Sequence, residues 1–408
     1  MRELFMTKRR RSGIGLLAGL MLTLGVLGSP SIGSTSERAE VSGLGSYAWK
    51  EVNAEAPWAA RAGLQTVKMG GKPYILGGRA PASPVIPFVS TIFNDIWRSD
   101  DKGTSWKQVT DDAPWPARAY FEAVTKKRDN GKGKELFVLG GQNFDQPSDF
   151  FNDVWRSRDK GKTWKRMTES APWEGRAGLS AVVLNGKIYV LGGSQGDDAA
   201  TGGTGRTLYN DVWKSSDGRR WVKATGKAPW SPRAGGATVV KDGWIYLLGG
   251  EDGFLCDPTK PDRCPPYFND VWRSKNGSKW KRVTAAAGWS KRPGHKCAVV
   301  NNRILCFGGF GLEENPIDMW ASKDGSKWNQ LSSSPWNATT SDEVKYDFDL
   351  LVAKRGNSKQ SGKGCAGKKA PRNCAVFTFG GDRERFDLPP QVNFDRIDND
   401  VWRFSQPR

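Results

Sequence analysis

Apolar residues in this chain come in short paired runs, and each pair closes on a double glycine. In the clearest case Leu179 to Leu184 and Ile188 to Leu191 flank Asn185-Gly186, a dipeptide that tolerates the positive φ of a two-residue hairpin turn. Lys241-Asp242-Gly243 and Asn301-Asn302 hold the same place in the next two units. The double glycine recurs six times, at Gly77-Gly78, Gly140-Gly141, Gly192-Gly193, Gly249-Gly250, Gly308-Gly309 and Gly380-Gly381. Two further strands follow in each unit, one on an Asn-Asp-(Val/Ile)-Trp run such as Asn152 to Trp155, the other on a second tryptophan. Each unit therefore predicts four short strands, A to D. A unit of about 50 residues cannot bury both faces of its own sheet, so the units must stack around an axis. The pattern predicts an all-β fold, a six-bladed β-propeller with four antiparallel strands per blade.

The tryptophans keep the same count. Eighteen of the 19 fall into three slots, and Trp244 alone stands outside them. The C-strand slot holds Trp97, Trp155, Trp213, Trp272, Trp320 and Trp402. The D-strand slot holds Trp49, Trp106, Trp164, Trp221, Trp280 and Trp328. The third, Trp58, Trp115, Trp173, Trp230, Trp289 and Trp336, precedes each strand A. The last unit stops after its C strand, Asn399 to Phe404, while an orphan D strand, Tyr47 to Val52, precedes the first. The N-terminal strand is therefore expected to close the last blade.

The double glycine ending strand B, the Asp-x-aromatic mark on strand C and the tryptophan on strand D, spread over residues 47 to 404, resemble the kelch-repeat family. Turns such as Ser157-Arg-Asp159-Lys-Gly161-Lys-Thr-Trp164 are similar to the Asp box of sialidase-type propellers, where that motif is a structural turn, so they carry no catalytic expectation.

Residues 1–34 differ from the rest. Arg2, Lys8, Arg9, Arg10 and Arg11 precede an apolar run from Ile14 to Leu27 and then small residues, the layout of a secretory signal too short for a span of about 20 residues. Residues 35–46 read as a short linker and 47–408 as the propeller, which leaves no transmembrane helix in the mature chain and predicts a secreted or periplasmic protein. Six cysteines form three near neighbours, Cys256 with Cys264, Cys297 with Cys306 and Cys365 with Cys374. Disulfides are expected, with zinc the rival, although no Cys-x-x-Cys occurs and the chain has one histidine. Counting outward from an Asn301-Asn302 turn sets Cys297 opposite Cys306, close enough to bridge. No metal and no cofactor are expected.

The net charge is +19, and +15 after the leader's five basic and one acidic residues are removed. Either excess lysine maintains solubility or an anionic partner is implied. The A–B and C–D turns share one end of the ring, with Lys102, Lys160, Lys162, Arg219, Arg220, Lys275, Lys279, Lys323 and Lys327, and with a basic insertion from Lys354 to Arg372. An anionic cell-envelope polymer is the partner expected there. No nucleic-acid reader motif appears, so nucleic acid is not expected.

The opposite end carries the B–C loops, which vary in length and content and are where binding is expected, of a protein or of an acidic carbohydrate. Five arginines three residues after the third-slot tryptophan, Arg61, Arg118, Arg176, Arg233 and Arg292, read either as a ligand clamp or as repeated blade fasteners; Thr339 breaks the set in blade six. Directly after the double glycines stand six different residues, Arg79, Gln142, Ser194, Glu251, Phe310 and Asp382, at equivalent places around the axis. Glu251 and Asp382 are the candidate general acids or bases, and His295 a further ligand candidate more in keeping with the repeat.

Two functions stay open. One is an exported, non-catalytic kelch binding or scaffold protein, which the sequence favours. The other is a sugar-processing isomerase, because blade number and export resemble the sialate mutarotases of the bacterial periplasm, with Glu251 or Asp382 moving a proton beside Arg233 or Arg292. A copper-radical oxidase needs two histidine ligands and is set aside, as is a sialidase, whose Phe-Arg-Ile-Pro run is missing.

Overall fold

The computed structural model describes residues 44–82, 90–144, 148–196, 206–253, 266–354, 365, 374–384 and 396–407. The leader, the Cys256/Cys264 pair, most of the basic insertion and parts of five B–C loops lie outside these residues. Among the described residues no helix is long and apolar enough to cross a membrane.

Six four-stranded antiparallel sheets form the blades. The innermost strands are Gln65–Met69, Glu122–Lys127, Ser180–Leu184, Ala237–Lys241, Lys296–Val300 and Asp349–Lys354, and each touches the next around the axis, the sixth touching the first. Strand Ala48–Asn53 pairs with Ile397–Ser405 as the outer strand of blade six, with Trp49 opposite Phe404, so the ring closes through the N-terminal strand. Tyr47 reinforces that seam, its hydroxyl donating to the Cys374 carbonyl at 3.1 Å and accepting from Asn301 Nδ2 at 2.7 Å.

The apolar residues are shared between blades. Each of six buried clusters draws on two neighbouring sheets; Phe137, Leu139 and Val154 of blade two, for example, meet Leu179, Ile188 and Val190 of blade three. A third-slot tryptophan and a D-strand tryptophan seal the outside of every interface. Trp58–Trp106, Trp115–Trp164, Trp173–Trp221, Trp230–Trp280 and Trp289–Trp328 meet edge to face at 5.8–6.0 Å, and Trp336–Trp49 tilt together at 5.7 Å. Such contacts add about 0.5–1.5 kcal/mol per pair beyond area burial.

The turns follow their residues. Asn185, Asp242, Asn301 and Asn302 all take positive φ, as the hairpin reading requires. In register, Cys297 faces Cys306 with Cα atoms 4.2 Å apart and the two are bridged; Cys365 is bridged to Cys374. The Asp-box turns are structural. In one, Asp159 Oδ1 accepts from the Thr163 amide at 2.9 Å, Ser157 Oγ accepts from the Gly161 amide at 2.8 Å, and Trp164 Nε1 donates to the Gly161 carbonyl at 3.1 Å.

Candidate functional site

The arginines fasten the blades. Arg118 forks onto Asp153 at 2.7 and 3.0 Å, donates to the Gly140 carbonyl at 2.9 Å, and lies over the Phe151 ring. Asp153 in turn accepts from Trp155 Nε1, which accounts for the Asn-Asp-Val-Trp run. Arg61–Asp95, Arg176–Asp211, Arg233–Asp270 and Arg292–Asp318 repeat the pairing, and all five arginines are 0–2% exposed. Spacing from Trp336 points to Thr339 and so to a missing cation in blade six. The structure corrects this: a short 3-10 turn, Ser341–Glu343, is inserted, and Lys345 fills the place, with its ammonium on Asp400 and 3.0 Å from Asp398. The Lys345 carbonyl accepts from Gly309, as the Arg118 carbonyl accepts from Gly78.

Two residues further on, the backbone makes a closed ring around the axis. The amide of Gly63 donates to the Asp347 carbonyl, Asp347 to Gly294, Gly294 to Gly235, Gly235 to Gly178, Gly178 to Tyr120 and Tyr120 to Gly63, at 2.9–3.2 Å. Every member has φ between 49° and 66°. Glycine adopts that conformation freely, and four blades use it; Tyr120 and Asp347 hold it against a steric cost. Their side chains lie across the ring, since a Cβ on Gly63 would come within 3.1 Å of the Tyr120 ring and one on Gly294 within 2.8 Å of Asp347 Oδ1.

The six residues after the double glycines stand around this ring, each bridged through its backbone to the same D–A position of its blade. They form two charged groups. Arg79 donates through Nε to the Tyr120 hydroxyl at 2.9 Å and through Nη2 to Asp382 and, at 3.3 Å, to Glu384; the Tyr346 hydroxyl donates to the Glu384 carbonyl. On the far side Arg206 links Ser194 Oγ at 3.1 Å to Glu251 Oε1 at 2.9 Å, beside Tyr267. Phe310 lies between the groups, its ring 6.2 Å from Tyr267 and 5.3 Å from Tyr346. Gln142 is buried in the blade-two position.

Electrostatics single out the first group. Burial alone would lower Arg79, but Tyr120, Asp382 and Glu384 hold it above its ordinary value. One guanidinium faces two carboxylates, with Asp347 nearby, so the titrations of these groups are linked. Burial and Glu384 push Asp382 up against the pull of Arg79. Burial and Asp382 bring Asp347 up to about 6. One layer down, burial brings Glu122 up to about 8 despite Lys296, and Asp349 adds to the rise.

The remaining candidates separate cleanly. His295 is buried, its ring 5.3 Å from that of Trp289. A void lined by Gly178, Ser180, Trp230, Arg233 and Gly236 lies between blades three and four, too tight for a water molecule, and none of the charged residues of the mouth lines it. Tyr120, Asp347, Glu384 and Arg206 belong to the mouth and escape a reading based on the double glycine. The signal for the first two is their departure from the glycine at Gly63, Gly178, Gly235 and Gly294.

Residues 63–309 match the family model described as the KLHDC2/KLHL20/DRC7 Kelch-repeats domain. The N-acetylneuraminate epimerase of Escherichia coli O1:K1 / APEC is 26% identical over 245 residues, which are 52% of this chain and 64% of that protein. The one from Shigella flexneri is 25% identical over 244 residues with the same coverage. The match thus spans less than two thirds of these relatives' length. The solved structure of YjhT shares the fold, with a TM-score of 0.57 and 17% identity over 86% of this chain and 96% of that one.

Proposed function

This chain belongs to the kelch-repeat family, and from that premise we propose that it binds an acidic sugar at the loop end of the axis and interconverts its anomers. The observation that carries this reading is the convergence of Arg79, Tyr120, Asp347, Asp382 and Glu384 on one axial mouth, with carboxyl groups raised toward neutrality. Anomer exchange needs a proton taken from the anomeric hydroxyl and one given to the ring oxygen, which suits carboxyls that are half protonated near the working pH. The names of the relatives favour N-acetylneuraminate as the acid. The buried, paired Arg233 and Arg292 have no part in this reading. Export fits it as well: the leader-like residues 1–34 and two disulfides suit an oxidising compartment.

Fresh N-acetylneuraminate, followed by NMR of its anomers, is expected to equilibrate faster than in buffer, in proportion to protein concentration. Saturable binding without acceleration would leave a binding module. Neither binding nor acceleration would remove the sugar from the account.

At the turn end, Lys68, Lys134 and Lys354 come from three adjacent blades, and burial together with Lys134 and Lys354 lowers Lys68. That concentration of cations favours a second contact, with an anionic polymer. Heparin binding at low salt should weaken for Lys68→Ala with Lys134→Ala and vanish at high salt; unchanged binding would exclude this mouth.

A further inference from the structure

We propose that Asp347 is the acid–base residue of the anomer exchange and that Tyr120 positions it. This rests on the function proposed above and replaces Glu251 and Asp382 as the proton carriers.

Six equivalent residues close the axial ring with left-handed φ, and nothing in the ring's hydrogen bonding calls for a side chain, since glycine makes the same bonds in four blades. Tyr120 and Asp347 hold that conformation against its cost, and the two flank Gly63 in the ring. Strain kept at the two positions on either side of Gly63 and relieved at the other four marks a place where side-chain chemistry is needed. The two side chains lie within electrostatic reach of one another: Tyr120 lowers the Asp347 carboxyl while its hydroxyl accepts from Arg79 at 2.9 Å, so the phenol stands between the buried guanidinium and the carboxyl. Asp382 is fully buried and Glu251 nearly so, whereas Tyr120 and Asp347 keep partial access to solvent at the mouth.

Protonated Asp347 can serve both ends of the reaction. The anomeric hydroxyl proton passes to one carboxyl oxygen while the proton on the other passes to the ring oxygen. The ring C–O bond breaks, the anomeric carbon becomes the ketone of the open chain, and the ring oxygen becomes a hydroxyl. Closure on the opposite face reverses both transfers and returns the acid form. No oxidant or reductant is consumed. The groups that set the proton affinity of Asp347 are Asp382, which raises it with burial, and Arg79, Lys296 and Tyr120, which lower it.

The test exploits opposite signs. Asp347→Gly restores the glycine of the other blades, so its melting temperature should equal or exceed that of the wild type while exchange falls at least about 100-fold. Asp347→Asn, which keeps the shape, should lose exchange to the same extent while still binding N-acetylneuraminate by calorimetry. Tyr120→Phe removes the hydroxyl that lowers the carboxyl, so its pH–rate limb should move to higher pH; no movement would contradict a positioning role for Tyr120. Wild-type acceleration retained within about threefold in a folded Asp347→Gly or Asp347→Asn protein overturns the assignment and leaves the function standing. A wild type that does not accelerate exchange overturns both.

Discussion

Arg118→Ala is expected to lower folding stability by about 3–5 kcal/mol, the cost of breaking a buried ion pair from one side. Arg118 is fully buried, and its removal leaves Asp153 with the Trp155 indole as its one close donor among the described residues and leaves the Gly140 carbonyl without its guanidinium. The lost packing under Phe151 adds to the loss. Urea denaturation would measure it through the midpoint at constant slope. The double variant Arg118→Met with Asp153→Leu should recover most of the stability, because an apolar pair of similar volume leaves no buried charge behind. A loss under about 1 kcal/mol in the single variant would mean that these arginines do not fasten the blades, and the ligand-clamp reading would return.

His295→Leu is expected to protect the fold in acid by roughly 3 kcal/mol at pH 4 while changing little at pH 8. Burial, with Arg292 and Lys296 nearby, drives the His295 imidazole down to about 3, and neither ring nitrogen has a hydrogen-bond partner among the described residues. Because its folded value lies below the unfolded value of about 6.5, the unfolded chain takes up the proton first. Its stabilisation is complete above that value and is lost as pH falls toward 3. Glu122 and Asp347 act in the opposite sense. Their folded values, about 8 and about 6, exceed those of the unfolded chain, so their contribution is present in acid and fades as pH rises through those values. The difference between His295→Leu and wild type cancels the carboxyl contributions and isolates the histidine. Leucine is a suitable replacement, since Leu64 and Leu179 hold the same place in blades one and three. Parallel pH profiles for the two proteins would show that the imidazole is reached by water.

The architecture was legible in the chain because a propeller repeats its physics. Each blade needs a turn between A and B, a glycine pair where the neighbouring loop passes within contact distance, and a tryptophan sealing the interface. Gly78, for instance, has φ 106° and would clash through a Cβ with the Ala62 carbonyl at 2.9 Å. That Cys297 faces Cys306 followed from turn length, and the bridge between them from the even cysteine count of a chain read as exported. Where spacing slipped, so did the reading: the turn inserted at Ser341–Glu343 hid Lys345 behind Thr339. The site was half legible. The six unlike residues after the double glycines do surround the axis, as strand order requires. Which of them meet depends on residues that no repeat predicts, with Arg206 joining Ser194 to Glu251 and Glu384 joining Asp382 on Arg79. Tyr120 and Asp347 were in plain view two residues after Arg118 and Lys345, but their meaning depends on the backbone ring, which appears only once six blades face one another.

A bound sugar is expected to lie over the axial ring. In a crystal structure of the protein with N-acetylneuraminate, density should cross Gly63, with the anomeric hydroxyl and ring oxygen within hydrogen-bond reach of the Asp347 carboxyl. Density at the lysine-rich turn end, or over Arg206 and Glu251 with Asp347 untouched, would contradict that placement.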